Sequence, residues 1–157
     1  MVSYHNGYLL KSDCNIIAHQ VNTYGIMGDG IAFQIAERYH YVNEEYKRYC
    51  EYCNYNYEKL IYNVLFCRGW DGTIIANCFT QREMTTDTEA LKTVVKIVNT
   101  YAKSQKLKTI GIPYKYGCGI AKGNWEEIRG IWEKEFCDND IDLQIWRNEV
   151  SNGKRDN

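Results

Sequence analysis

Two glycine-rich segments most constrain what this chain can fold into, because each follows a strand-like pattern and precedes a helical one. The first covers residues 19–35, HQVNTYGIMGDGIAFQI, and contains Gly25, Gly28 and Gly30. The second covers residues 112–125, IPYKYGCGIAKGNW. Glycine adopts positive φ without strain and lets another group approach the main chain closely. A helix that begins just after such a segment offers unpaired N–H groups and the positive end of a dipole to an anion.

Apolar periodicity around these segments predicts alternating strands and helices in one α/β domain. A hairpin turn is predicted at residues 69–72. The 157 residues suffice for one domain with a single sizeable core. We expect helices on both faces of a mixed sheet over residues 1–148, followed by a polar tail over 149–157. Strands are predicted over 2–5, 14–21, 60–67, 73–79, 107–112 and 141–146, and helices over 30–39, 43–53, 88–104 and 124–136.

Charge and hydropathy argue against nucleic-acid and membrane partners. The formal net charge is -1 and there is no long basic run, so no electrostatic attraction to DNA or RNA is expected. No apolar run is long enough to span a bilayer, and the N-terminus lacks the pattern of a signal peptide. We therefore expect a soluble, cytoplasmic protein.

The seven cysteines are odd in number and irregularly spaced, which argues against a disulfide framework. Cys50 and Cys53 form a CxxC pair, but no second pair completes a zinc site, and the three histidines lack metal-ligand spacing. We expect reduced thiols, with Cys50 and Cys53 on two faces of a tyrosine-rich helix. Neither a metal nor a cofactor is predicted.

The two glycine segments together predict a diphosphate site. Loops at the carboxyl ends of neighbouring strands converge on the ligand crevice of an open α/β sheet, and two facing loops can hold two phosphates through N–H groups. Gly25, Gly28 and Gly30 have the spacing G-x-x-G-x-G, whereas dinucleotide-binding folds have G-x-G-x-x-G. No acidic residue lies at the distance that those folds require, so we do not expect that arrangement.

HQVNTYGIMGDGIA, IIANCFTQ and IPYKYGCGIAKGNW, in this order, resemble the motifs of a macrodomain. The likeness extends over nearly the whole chain, from Gly7 to Phe136. It is similar in particular to the branch of small phage, bacterial and yeast ADP-ribose-1''-phosphate phosphatases and terminal ADP-ribosyl glutamate hydrolases. The resemblance implies a three-layer α/β/α fold around a mixed central sheet. The implied partner is a small ADP-ribose-like nucleotide or an ADP-ribosylated substrate, bound in a cleft.

The resemblance also implies the ligand-binding residues. Asn22 corresponds to an asparagine whose amide contacts the distal ribose, and an amide can both donate to and accept from a diol. The first loop wraps the distal ribose and one phosphate, and the second holds the diphosphate through N–H groups. For Asn77 and Phe79, a buried strand end is the alternative. The implied set is Tyr8, Leu9, Asn22, Met27, Gly28, Asp29, Gly30, Ile31, Asn77, Phe79, Gln81, Gly117, Cys118, Gly119, Ile120 and Ala121.

Two departures from the family pattern bear on activity. Most macrodomains have an aspartate at the position of Tyr8, where it accepts a hydrogen bond from the adenine amino group. A phenol lacks the acceptor pair of a carboxylate, so we expect a weaker preference for adenine. The glutamate hydrolases use a lysine in the strand-end segment and an aspartate in the second loop. This chain has Gln81 and Arg82 in the one region and Ile120 and Ala121 in the other, which argues against that activity.

Two side chains are candidates for catalysis. His19 resembles a histidine implicated in dephosphorylation by the yeast phosphatase, and an imidazole can act as base or nucleophile toward phosphate. The alternative is a core histidine hydrogen-bonded within its strand. Cys118 has the location of a nucleophile at a helix N-terminus, where a thiolate is favoured. For Cys118 we favour the other interpretation, a small residue whose N–H faces phosphate.

Three functions remain open from the sequence. We predict a binding module that captures ADP-ribose or a related NAD-derived nucleotide, either as a reader or by sequestering a signal. The alternative is an ADP-ribose-1''-phosphate phosphatase or an ADP-ribosyl hydrolase. A protein–protein scaffold would leave the two glycine segments unexplained. We expect Gly28→Val to block binding by disfavouring positive φ and by filling the space that a phosphate needs.

Overall fold

A six-stranded mixed sheet forms the centre of the structure, a computed structural model that describes residues 1–119 and 122–148. The sheet order is β1-β8-β7-β2-β4-β3, and every neighbouring pair is parallel except β3 and β4. Two further strands, β5 (Gln81–Arg82) and β6 (Thr85–Thr86), form a separate short hairpin. The strands of the main sheet are β1 (Val2–Asn6), β2 (Ile16–Val21), β3 (Val64–Arg68), β4 (Ile74–Phe79), β7 (Thr109–Pro113) and β8 (Asp142–Arg147).

Helices cover both faces of the sheet, so the predicted α/β/α architecture is confirmed. The sheet divides the interior into two hydrophobic cores, one against α4 and α5 and the other against α1, α2 and α3. Side chains of β2 alternate between them, because successive strand residues point to opposite faces: Ile16 belongs to the first core and Ile17 to the second. The helices are α1 (Gly30–Arg38), α2 (His40–Tyr52), α3 (Tyr57–Leu60), α4 (Thr88–Ser104) and α5 (Trp125–Phe136), with a 3-10 turn at Leu9–Lys11.

Most predicted elements are found, with a few shifted boundaries. The hairpin turn between β3 and β4 is confirmed by a 2.7 Å hydrogen bond from Gly69 N–H to Thr73 O. β3 begins at Val64 and not at Leu60, because Leu60 is the last residue of α3, whose N-cap Asn56 accepts from Lys59 N–H. Sequence periodicity missed α3 and the β5–β6 hairpin, which are too short to show a periodic pattern.

The topology explains why the two glycine segments meet. β2 and β7 are parallel neighbours, so both end at the same edge of the sheet. The first segment leads from β2 into α1, and the second leads from β7 into α5. The predicted tail over residues 149–157 and the pair Ile120 and Ala121 lie outside the described residues.

The described residues contain neither a membrane-spanning helix nor a cluster of metal ligands. Within residues 1–119 and 122–148, no helix is both long and apolar enough to cross a membrane. The same residues contain no group of three or more His, Cys, Asp or Glu side chains that could hold a metal ion. Cys50 is buried in α2, and Cys53 follows the end of this helix, also buried.

Candidate functional site

A cavity of about 630 Å³ lies where the two glycine segments meet, beyond the carboxyl ends of β2 and β7. The structure brings residues 28–31 of the first loop and 117–119 of the second into one wall, as the sequence predicts. Ile120 and Ala121, which the sequence also predicts, are not among the residues described. The full lining is Gln20, Val21, Asn22, Ile26, Gly28, Asp29, Gly30, Ile31, Ala32, Gln81, Pro113, Lys115, Tyr116, Gly117, Cys118 and Gly119.

The N-terminus of α1 is open toward this cavity. Asp29 occupies the N-cap position with extended backbone, but its side chain accepts no hydrogen bond from the helix. The first intrahelical bond runs from Phe33 N–H to Asp29 O, 3.2 Å. The N–H groups of Gly30, Ile31 and Ala32 have no hydrogen-bond partner within the described chain. The positive end of the helix dipole therefore faces the cavity without a protein cap.

The glycines of the first loop serve different purposes. Gly25 and Gly30 have positive φ, +78° and +55°, but Gly28 does not, so the prediction of positive φ at Gly28 is wrong. A Cβ atom on Gly28 would lie 3.3 Å from Ile26 Cγ2, whereas one on Gly30 would meet nothing within 4 Å. A side chain at position 28 would therefore crowd Ile26, whereas a side chain at position 30 would be disfavoured by the backbone conformation.

The second loop packs its main chain tightly against the β5–β6 hairpin. Gly117 has φ +71°, and a Cβ there would lie 2.5 Å from Thr86 Oγ1. The Thr86 hydroxyl and Gly123 N–H both donate to Gly117 O, each at 3.0 Å. The N–H groups of Gly117 and Gly119 have no partner among the residues described. They are thus available to a ligand in the cavity.

Cys118 does not fit either role suggested by its sequence context. Its N–H donates to Lys115 O at 2.9 Å, so the favoured interpretation, an N–H that faces phosphate, is wrong. Burial raises the pKa of the Cys118 thiol, and the nearby Lys115 offsets this only in part. A thiol that stays protonated is a poor nucleophile.

Asn22 lines the cavity, but its amide is largely used within the first loop. Oδ1 accepts from Tyr24 N–H at 3.0 Å and from the Tyr46 hydroxyl at 2.7 Å. Nδ2 donates to Ile26 O at 2.9 Å. One N–H of this amide remains for a ligand. The other bonds of the side chain stabilise the loop at residues 22–26.

His19, Asn77 and Phe79 lie in the core and not in the cavity wall. All three side chains are fully buried. His19 Nε2 lies 2.7 Å from Asn77 Oδ1, and Asn77 Nδ2 donates to Leu65 O, so the imidazole donates to the amide. Burial lowers the pKa of His19 to about 4, which keeps the ring neutral at physiological pH. This geometry does not support catalysis by His19 on a ligand in the cavity.

Four further predicted residues divide between surface, core and cavity. Tyr8 is exposed, with Lys11 Nζ 5.4 Å from its ring centroid, while Leu9 and Met27 are buried in the core beneath α1 and α2. None of the three lines the cavity. Gln81 does line it, and its Nε2 donates to Glu83 O at 2.8 Å.

Sequence reasoning missed Gln20, Lys115 and Tyr116, all of which line the cavity. Gln20 carried a usable signal, because it is a polar residue near the carboxyl end of β2, the edge at which open α/β sheets bind ligands. Lys115 and Tyr116 lie inside the second segment, directly before its glycines. The residue pattern there does not show which side chains line the cavity and which pack in the core.

Comparison with known proteins gives short sequence matches and extended structural ones. No protein-family model matches the chain. Two curated relatives named DNA ADP-ribosyl glycohydrolase, from Mycobacterium bovis and Mycobacterium tuberculosis, are each 37% identical over 51 residues. That match covers 32% of this chain and only 14% of each relative.

Among solved structures, the macrodomain of Mycobacterium tuberculosis DarG superposes with a TM-score of 0.82 at 21% identity. The superposition covers 93% of this chain and 97% of that one. Thermosipho africanus DarTG in complex with ADP-ribose gives a TM-score of 0.75 at 16% identity, over 92% of this chain and 41% of that one.

Proposed function

We propose that this chain, which has the macrodomain fold, binds ADP-ribose or a related NAD-derived nucleotide between its two glycine segments. One observation carries the proposal: two groups of N–H donors, without partners in the described residues, line a single cavity. They are those of Gly30, Ile31 and Ala32 at the start of α1, and those of Gly117 and Gly119 opposite. Two such groups match the two phosphates of a diphosphate.

The charged residues of the cavity wall suit the same ligand. Lys115 lines the cavity and contributes a positive charge, which favours a diphosphate. Asp29 also lines it, and a carboxylate accepts hydrogen bonds from hydroxyl groups, so it suits a ribose diol. The Thermosipho africanus protein that shares the fold was solved with ADP-ribose, which supports this ligand class.

Hydrolysis of an ADP-ribosyl bond is the second candidate, favoured by the name of the curated relatives, DNA ADP-ribosyl glycohydrolase. In this chain, Asp29 or Lys115 of the cavity wall would have to transfer the proton. Burial raises the pKa of both Tyr116 and Cys118, which keeps these two lining groups protonated. Removal of a terminal phosphate through His19 has less support, because His19 is buried away from the cavity.

Calorimetry with ADP-ribose tests binding. The parent chain is expected to bind, and Gly28→Val is expected to weaken binding more than tenfold, because its side chain would crowd Ile26, 3.3 Å from the new Cβ, in the cavity wall that both residues line. Gly130→Val is the matched control: Gly130 is exposed on α5, and a Cβ there meets nothing within 4 Å. A parent chain that does not bind ADP-ribose overturns the proposal. A folded Gly28→Val that binds like the parent places the ligand elsewhere.

The second candidate is tested on ADP-ribosylated DNA and on an ADP-ribosylated glutamyl peptide, with released ADP-ribose as the readout. Release that is lost in Asp29→Asn makes the chain a hydrolase. Binding without release by the parent chain identifies a reader or a sequestering module.

A further inference from the structure

Gln20 is the polar side chain of β2 that faces the cavity. Its Oε1 accepts a hydrogen bond from the Thr80 hydroxyl at 2.7 Å. Thr86 Oγ1 lies 3.2 Å from the same oxygen and shares its one hydrogen between Gln20 Oε1 and Gly117 O. Gln20 Nε2 makes no hydrogen bond to any described residue, although the side chain is half-buried. This amide N–H₂ group in the cavity wall therefore has two hydrogens for which the described residues supply no acceptor.

The orientation of this amide is set by a buried chain of hydroxyl groups. Tyr116 Oη lies 2.8 Å from Thr80 Oγ1, and both residues are fully buried. Burial raises the pKa of Tyr116 well above its usual value, so the phenol keeps its proton. With Tyr116 donating to Thr80 and Thr80 donating to Gln20, Oε1 is held at the hydroxyls and Nε2 is turned away from them.

The free end of the amide lies against the second loop. A Cβ built on Gly117 would be 3.3 Å from Gln20 Nε2 and 3.2 Å from Gln20 Oε1. Gly117 also has an N–H group with no partner in the described chain. Two donors, one from a side chain and one from the backbone, therefore flank the same part of the cavity.

We propose that Gln20 is a specificity-determining residue whose Nε2 donates a hydrogen bond to a phosphate oxygen of the bound diphosphate, with Thr80 and Thr86 as its positioning residues. This inference rests on the function proposed above and adds an uncharged side-chain donor to the backbone N–H groups and the charged side chains already assigned to the site. A phosphate oxygen is the matching acceptor, because a hydrogen bond to an anionic oxygen is shorter and stronger than one to a neutral acceptor.

The experiment replaces the donor by an acceptor of the same shape. Gln20→Glu keeps an oxygen for Thr80 and Thr86 but presents a negative oxygen to the phosphate. It should lower the affinity for both ADP and ADP-ribose on the order of 100-fold, measured by calorimetry on the full chain. Gln20→Met, which removes the donor without adding charge, should lower both affinities about tenfold. Gln105→Glu is the matched control, since Gln105 is exposed at the C-terminal end of α4.

A second readout separates contact from general damage. The side-chain amide signals of Gln20 in a ¹H–¹⁵N spectrum, identified by their loss in Gln20→Met, should shift on addition of ADP. Thr80→Val should weaken binding several-fold, and Thr80→Ser, which keeps the hydroxyl, should restore it. Neither result is expected if Gln20 only supports the fold.

The outcomes distinguish the inference from the proposed function. A parent chain that binds neither ADP nor ADP-ribose overturns both. A parent that binds, together with a Gln20→Glu variant of equal affinity, overturns the role of Gln20 alone. Loss of affinity for ADP-ribose but not for ADP would overturn the phosphate contact, because Gln20 would then contact the distal ribose.

Discussion

His19 and Gln20 are neighbours on β2, yet the sheet places them in opposite surroundings. His19 is fully buried among the side chains beneath α1 and α2, and its Nδ1 has no partner among the described residues. Gln20 is half-buried and lines the cavity with an open amide N–H₂ group. The alternation of strand side chains separates them. The face of the strand therefore decides the surroundings of each residue: the side chain with acid–base chemistry is buried, and the neutral amide faces the cavity.

The largest effect on stability is expected from His19→Ala. The substitution removes a buried ring, opens a void and leaves Asn77 Oδ1 without its 2.7 Å donor. It should lower the free energy of unfolding by about 4 kcal/mol in urea titrations. The affinity of the folded fraction for ADP-ribose should change little, the reverse of Gln20→Met. A stable His19→Ala protein that no longer binds ADP-ribose would show that His19 contributes to ligand binding and not to stability.

Residue patterns predicted the architecture and the meeting of the two loops, because both follow from periodicity and from the parallel order of strands. α4 has the predicted limits, Thr88–Ser104, since its apolar stripe is long and Asp87 caps it. The division between His19 and Gln20 was not predictable in the same way. It depends on which side of β2 is covered by α1 and α2 and which opens on the second loop, a matter of tertiary packing.

The wrong predictions for Cys118 and Gly28 have a similar cause. A glycine-rich loop indicates open backbone, but it does not tell which N–H groups are already used. Cys118 N–H donates within its own turn, whereas the neighbouring glycines keep theirs open. Gly30, the first residue of α1, has positive φ, whereas Gly28 in the same loop does not. Such details depend on single dihedral angles, which residue composition does not determine.

The second prediction concerns the pH dependence that His19 imposes. An unfolded histidine gains its proton near pH 6.5, whereas burial keeps the folded pKa of His19 at about 4. Between these values the unfolded chain binds more protons, so stability is complete above pH 6.5 and falls as the pH decreases toward 4. The loss attributable to His19 should reach about 3 kcal/mol.

The measurement is the free energy of unfolding in urea at several pH values between 7 and 4. His19→Gln should flatten the slope, because its amide can still donate to Asn77 but does not titrate. An equal slope in the parent and in His19→Gln would show that other groups cause the acid sensitivity. The buried side chains of β2 would then stabilise the fold by packing alone, and their contribution to the free energy of unfolding would not depend on pH.

The smallest effect is expected at Asn22, which combines the two conditions: it lines the cavity like Gln20, yet its amide is engaged within the protein like His19. Asn22→Ala removes the acceptor for Tyr24 N–H and the Tyr46 hydroxyl, so it should cost about 1 kcal/mol of stability and a similar amount of ADP-ribose affinity. Asn22→Asp keeps that acceptor and should restore stability, but it removes the Nδ2 donor and adds charge, so affinity should stay low. Thermal unfolding and calorimetry on the same samples separate the two readouts.

If Asn22→Ala weakens binding strongly at unchanged stability, Asn22 belongs wholly with Gln20 as a ligand contact. If it changes stability alone, Asn22 belongs with His19, and the boundary between the two kinds of polar residue lies at the end of β2 itself.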